Sequence, residues 1–134
     1  MINNERKLPT VILSGASPFA TDAELSTAWL KHELEQAGFI VKNVLGCYKG
    51  RQEPALTLCL FPGQALDAVL VYAEKYKQES VLFLNENRTA FFIDPISGNA
   101  TKAGKWWSCT ETEAKSHEGY TYDPETHTWY SIFE

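Results

Sequence analysis

The sequence lacks the patterns that would mark an exported, membrane-spanning or nucleic-acid-binding protein. The three cysteines, Cys47, Cys59 and Cys109, are an odd number without CxxC spacing, which argues against a disulfide framework. No run approaches the roughly 18 apolar residues of a membrane span, and the N-terminus has no export signal. The net charge of −5 is dispersed, without a basic stripe for phosphates or a surface acidic enough to imitate DNA. We therefore expect a cytoplasmic protein that binds neither nucleic acid nor membranes.

The sequence also lacks the spacings that usually hold metals and cofactors. His32, His117 and His127 stand in separate elements without an H-x-x-x-H pair. The stretch "GASPFA" contains one glycine, and nothing matches a phosphate-binding GxGxxG or GxxxxGK[ST] loop. A nucleophilic Cys47 or Cys109 is conceivable, but apolar and aromatic neighbours favour buried, inert thiols. We expect neither a metal nor a cofactor.

What the sequence does contain is enough apolar material for one folded domain. Its 134 residues are 44% hydrophobic and 22% charged, close to the globular average. A chain of this size can bury a single core without disulfides. We treat residues 1–134 as one domain.

The order of the patterns predicts strand, helix, strand, strand, helix and strand, followed by extra strands. The predicted elements are "PTVILSGA", a helix from Asp22 to Ala37, "FIVKNVLGCY", "ALTLCLF", a helix within "PGQALDAVLVYAEKYKQ", "SVLFL", "TAFFIDP" and two strands within "GYTYDPETHTWYSIF", with "ISGNATKAGK" as a loop. This order is typical of the split βαβ arrangement. The sequence therefore predicts an α+β, ferredoxin-like sandwich, an antiparallel sheet with two helices on one face plus C-terminal extra strands. The other face would meet solvent, the C-terminal hairpin or a partner subunit, and we favour a trimer with the sheets facing inward.

The first helix carries clear start and stop signals. Thr21 and Glu24 have the spacing of a capping box, and Gly38 stands where a left-handed residue would end the helix. Leu25 and Trp29 fall opposite the main apolar face of the helix, so we expect a subunit or the C-terminal segment to cover them.

Small residues follow the first strand just before that helix. Ser14, Gly15, Ala16 and Ser17 would let a ligand approach the backbone closely. A tight strand-to-helix turn explains the same residues, and position alone does not separate the two interpretations.

Four ordered motifs resemble one family, the phage S-adenosylmethionine lyases, formerly described as hydrolases. They are "VLGCYKG", a glutamate at the head of the next strand (Glu53), "QAL" leading through a helix to "QESVL", and a final "GYTYD…W". The resemblance covers most of the chain in the same order. It implies a GlnB-like sandwich, a homotrimer with active sites at subunit interfaces, and cleavage of S-adenosylmethionine to methylthioadenosine and homoserine lactone, which removes the methyl donor of host restriction-modification systems.

The resemblance also assigns roles to residues. It makes Tyr48 and Glu53 the catalytic pair, with Glu53 holding the substrate ammonium and Tyr48 lying near the sulfonium. We further expect adenine and ribose to be held by a second set of residues, namely Ser14, Gly15, Ala16, Ser17, Gln78, Glu79 and Ser80. Two alternatives stay open: a GlnB-like module that senses a nucleotide without turning it over, and a small interaction protein or inhibitor.

Overall fold

The computed structural model describes residues 7–14 and 22–134, apart from the side chains of Ser14 and Ala23. Within these residues the chain forms eight strands and three helices. In chain order they are β1 (Thr10–Ser14), α1 (Ala23–Gln36), β2 (Val41–Tyr48), β3 (Arg51–Cys59), α2 (Leu66–Lys75), β4 (Val81–Leu84), β5 (Thr89–Ile93), β6 (Ala100–Cys109), α3 (Glu111–Lys115), β7 (Gly119–Asp123) and β8 (Thr128–Phe133).

The strands close into an antiparallel barrel with the order β1-β3-β2-β7-β8-β6-β5-β4, in which β4 pairs with β1 again. The predicted order of the first six elements is present. The predicted fold class is wrong, because the sheet is not the open sheet of a ferredoxin-like or GlnB-like sandwich. The C-terminal strands continue it, and β7 closes the circle by pairing with the free edge of β2.

Alternation along the strands divides the buried residues into two clusters. The larger one lies between the outside of the barrel and helices α1 and α2, and includes Leu13, Leu34, Leu56 and Val69. The smaller cluster fills the barrel interior with Leu84, Ala90, Ala103, Trp106, Tyr130 and Ile132, among others. The sheet face for which the sequence predicts contact with solvent, the C-terminal hairpin or, as favoured, a partner subunit is therefore the lining of this interior.

Helix α1 follows the pattern that its sequence predicts on most points. Its apolar face is buried at Leu30 and Leu34, whereas Leu25 and Trp29 are each 57% exposed. The N-cap is Asp22, whose side chain accepts a hydrogen bond from the backbone N–H of Leu25. The expected capping residue, Thr21, lies outside the described residues. None of the described helices has the length and apolar character needed to cross a membrane.

The predicted loop "ISGNATKAGK" is wrong over its second half, which is the start of β6. A Cβ built at Gly104 would lie 2.6 Å from the carbonyl oxygen of Phe133, so β6 and β8 can approach this closely only at a glycine. The register between β5 and β6 also shifts between Ala90 and Phe91. A glycine and an irregular register remove the alternation by which strands are recognised.

One end of the barrel gathers the ends of β1, β2, β5 and β8 and the starts of β3, β4, β6 and β7. We call this end the mouth. Among the described residues that the sequence singled out for function, Tyr48, Glu53 and the backbone of Ser14 lie at this end.

Candidate active site at the barrel mouth

The hairpin between β2 and β3 turns in two residues. Tyr48 pairs with Arg51, and the residues between them, Lys49 and Gly50, have φ of 52° and 77°. Two successive positive φ values are those of a type I′ turn, which matches the twist of the flanking strands. Strand β3 therefore begins at Arg51, so Glu53 lies inside the strand and its backbone is fixed by pairing with Gly46.

Tyr48 and Glu53 project from the same face of this hairpin. Because Val41 and Leu56 belong to the cluster beneath the helices, alternation turns Tyr48 and Glu53 toward the barrel interior. The two residues are diagonal neighbours across the pair of strands, with side chains roughly 7 Å apart in ordinary sheet geometry. An acid and a phenol thus stand together on the rim of the mouth.

The surroundings of the two side chains differ. The Tyr48 side chain is 59% exposed, and the Lys49 ammonium lies 5.3 Å from the centre of its ring. Glu53 is about one-third exposed and has the Arg51 Nε 4.0 Å from one carboxylate oxygen. Arg51 itself is 83% exposed, so solvent screens this ion pair strongly.

Two of the residues predicted to bind adenine and ribose lie at the next strands of the mouth. Ile12 pairs with Leu82, and toward the mouth from this pair Ser14 is the last residue of β1 and Ser80 immediately precedes β4. On its other side, the backbone of Ser14 pairs with Ala55. The strand ends that carry Ser14, Ser80 and Glu53 are therefore adjacent. Residues 15–17, which include Gly15, Ala16 and Ser17, lie outside the described residues.

Gln78 and Glu79 precede β4 and behave differently from each other. Glu79 is exposed, whereas Gln78 is only 7% exposed and its backbone N–H binds the Ala73 carbonyl at the end of α2. The Gln78 Nε2 is buried, and nothing in the described part of the chain accepts a hydrogen bond from it. A buried amide without an acceptor is costly, so this nitrogen is suited to a group that comes from outside those residues.

Phe92 is a mouth residue that sequence reasoning missed. It pairs with Leu82, a member of the interior cluster, and with Thr101 near the start of β6. Its side chain is 42% exposed although it faces the interior, because the barrel is open at this end. Strand β5 stands opposite β2 in the barrel order, so Phe92 and Tyr48 lie on opposite strands at the same end of the barrel. The alternation of side chains within "TAFFI" was the signal that could have identified Phe92. Which side of this strand faces inward depends on closure of the barrel, and the sequence does not show that closure.

A comparison with protein-family models matches residues 11–132 to one family, described as the S-adenosylmethionine lyase family. The match covers nearly the whole chain. The chain belongs to the S-adenosylmethionine lyase family. No curated protein matches it.

Membership in the S-adenosylmethionine lyase family confirms the resemblance found in the motifs, and it makes the protein a lyase that degrades S-adenosylmethionine. The nucleotide-sensing alternative depended on a GlnB-like sandwich, and the closed barrel removes that basis. The roles of Tyr48, Glu53 and the other mouth residues remain predictions.

Proposed function

We propose that the lyase binds S-adenosylmethionine at the barrel mouth and lets the substrate cleave itself. The substrate carboxylate attacks its own Cγ, a carbon–oxygen bond forms, and the carbon–sulfur bond breaks with its electron pair going to sulfur. The products are methylthioadenosine and homoserine lactone. The juxtaposition of Tyr48 and Glu53 on one hairpin face supports this proposal most directly.

This reaction needs positioning more than it needs a protein nucleophile. Holding the methionine part curled gives the carboxylate a fixed line of attack, which can supply several kcal/mol of the barrier reduction. The positive sulfur and the negative carboxylate both lose charge in the transition state. A mouth from which the bound substrate excludes water therefore favours the transition state over the charged ground state.

Each hairpin residue then has a distinct task. Glu53 pairs with the substrate ammonium, which leaves the reactive carboxylate free. The exposed ring of Tyr48 lies against the sulfonium and attracts the cation through its π face, and the Tyr48 hydroxyl also lies near the sulfonium. The buried Gln78 amide and the strand ends at Ser14 and Ser80 hold adenine and ribose, together with residues 15–17 and Glu79.

We further propose a homotrimer in which a neighbouring subunit covers each mouth. The exposure of Tyr48 and Phe92 supports a contact with a neighbouring subunit at the mouth, because much of the surface of both rings is uncovered in one protomer. All three cysteines lie in the described residues and are free thiols, which suits a reducing host cytoplasm. There the enzyme would deplete the methyl donor of restriction-modification systems and so act in phage counter-defence.

A product assay tests the reaction. Purified protein is incubated with S-adenosylmethionine, and the mixture is analysed by chromatography for methylthioadenosine and homoserine lactone. We expect both products in equal amounts. Homoserine without a lactone intermediate would indicate attack by water, and intact substrate beside well-folded protein would contradict the proposal.

A further inference from the structure

Two motifs that are far apart in the sequence form one unit in the barrel. Strand β2 carries "GCY" and β7 begins with "GYT", and the motifs pair residue by residue: Gly46 with Thr121, Cys47 with Tyr120, and Tyr48 with Gly119. A hydrogen bond with the Cys47 thiol, together with burial, raises the pKa of Tyr120. The two motifs are therefore joined by a side-chain contact on the outer face of the sheet in addition to their backbone pairing.

On the inner face the partner of Tyr48 has no side chain. A Cβ built at Gly119 would lie 3.3 Å from Cδ2 of Tyr48 and 3.5 Å from the carbonyl oxygen of Cys47. The Tyr48 ring thus occupies the space over β7 that any other residue at position 119 would fill. Gly119 does not have a positive φ, so an alanine there would meet the ring without backbone strain.

The turn beyond Tyr48 is tied to the residue that precedes Gly119. The Lys49 backbone N–H donates to the Glu118 carbonyl at 2.8 Å, and the Lys49 ammonium lies 3.6 Å from the Glu118 carboxylate. The same ammonium lies near the face of the Tyr48 ring. The ring therefore has both the Gly119 backbone and the Lys49 ammonium as neighbours, and the main chain at both residues is held by backbone hydrogen bonds.

We propose that Gly119 is a positioning residue that sets the place of the Tyr48 ring at the mouth. This inference rests on the proposed role of Tyr48 in binding the sulfonium. It gives a physical reason for the glycine that opens the "GYTYD" motif. A methyl group at position 119 would displace the ring by a few tenths of an ångström, and small displacements of a positioning group reduce turnover.

Thermal stability tests the contact without reference to catalysis. Gly119→Ala is measured in the wild-type background and in a Tyr48→Ala background. We expect the substitution to lower Tm by about 4 °C when the ring is present and by much less when it is absent. Equal losses in the two backgrounds would overturn the inference. If Gly119→Ala alone does not fold, recovery of folding in the double variant supports the inference, and failure in both contradicts it.

Kinetics test the consequence for the reaction. We expect Gly119→Ala to lower kcat about five- to tenfold while KM changes less than about twofold, because the ring is misplaced rather than lost. Thr128→Ala, at the other end of the β7–β8 hairpin, is the control and keeps the wild-type kcat. If Tyr48→Ala loses turnover while Gly119→Ala keeps it, this inference alone fails. If Tyr48→Ala keeps wild-type turnover, the proposed role of Tyr48 fails as well.

Discussion

Tyr48 and Glu53 contribute different interactions to the mouth, and single substitutions separate them. Glu53→Gln keeps the size of the side chain but removes the charge that pairs with the substrate ammonium. Tyr48→Phe keeps the ring and removes only the hydroxyl. We expect kcat/KM to fall by about one to three orders of magnitude for Glu53→Gln, and by about tenfold or more for Tyr48→Phe.

The measurement is steady-state formation of methylthioadenosine, with Tm as the check on folding. Glu35→Gln and Tyr72→Phe make the same chemical changes on helices α1 and α2 outside the barrel, and both should retain wild-type rates. A wild-type rate in Glu53→Gln would remove Glu53 from the site, and a wild-type rate in Tyr48→Phe would show that the Tyr48 hydroxyl has no part in the reaction.

For individual residues, the sequence shows which residue types are present but not which of them are in contact in the folded protein. The motif around Tyr48 and the glutamate at position 53 could be selected from the sequence, because the hairpin joining them is local. The contact between Tyr48 and Gly119 could not be foreseen, because it depends on β7 pairing with β2. Phe92 was missed for a related reason, since its face becomes the interior only when the barrel closes.

At the scale of elements, helix α1 is held on the barrel by its apolar face. Leu34 is fully buried in the cluster between helix and barrel, whereas Leu25 on the same helix is 57% exposed. We expect Leu34→Ala to lower the free energy of unfolding by about 2–5 kcal/mol, and Leu25→Ala to change it by less than about 0.5 kcal/mol. Urea unfolding measures both. A large loss for Leu25→Ala would show that a subunit contact covers that side chain.

A second contact at this scale joins β2 to the end of β7 inside the barrel. The Lys42 ammonium donates to the Asp123 carboxylate, which is nearly buried. Burial alone would raise the pKa of Asp123, but hydrogen bonds from Lys42, the Glu125 backbone and Thr126 outweigh it and lower the pKa below its usual 3.8. The same hydrogen bond raises the pKa of Lys42 above its usual 10.5.

These directions fix how the contact depends on pH. The lowered pKa of Asp123 gives a stabilisation that is complete above about pH 4 and is lost as the pH falls through the folded-state pKa. The raised pKa of Lys42 gives a stabilisation that is complete below about pH 10 and is lost above it.

We expect Asp123→Asn to cost about 2 kcal/mol at neutral pH and progressively less in acid, measured by urea unfolding. Glu125→Gln is the matched control. Its carboxylate lies 3.8 Å from the Lys42 ammonium but is 75% exposed, so its removal should have little effect. A cost for Asp123→Asn that stays constant down to pH 2 would contradict this account.

The elements themselves were predictable wherever periodicity was regular. Leu30 and Leu34 were placed on the buried face of α1 from their spacing, and the strands around Asp123-Pro124 were placed from their turn. The first half of β6 was not predictable, because Gly104 and the polar residues before it give neither the alternation nor the composition of a strand.

At the scale of the whole molecule, closure of the barrel depends on residues that no local pattern links. Trp106 and Tyr130 stack with ring centres 5.6 Å apart inside the barrel, so Tyr130 of the C-terminal segment helps to fill the interior. The sequence shows an aromatic C-terminal segment and predicts an open sheet, but it does not show that the C-terminal strands close this sheet into a barrel. Consequently, the predicted packing of open sheets cannot hold subunits together, and the proposed trimer would use the outside of the barrel or its mouth.

The proposed trimer raises the question of whether the Tyr48 and Glu53 of one active site come from the same subunit or from two different subunits. Tyr48 and Glu53 are joined by a two-residue turn and face the same way, so one protomer must supply both to any site that uses them. Tyr48→Phe and Glu53→Gln proteins that are mixed, unfolded and refolded together should therefore give no more than the sum of their separate residual activities. Wild-type protein refolded with either variant, as the control, should give activity in proportion to its share. Analytical ultracentrifugation of the same samples should give three times the 15.1 kDa chain mass. Recovered activity in the mixture of the two variants would mean that Tyr48 of one subunit acts with Glu53 of another, and the hairpin would then not be the unit of the active site.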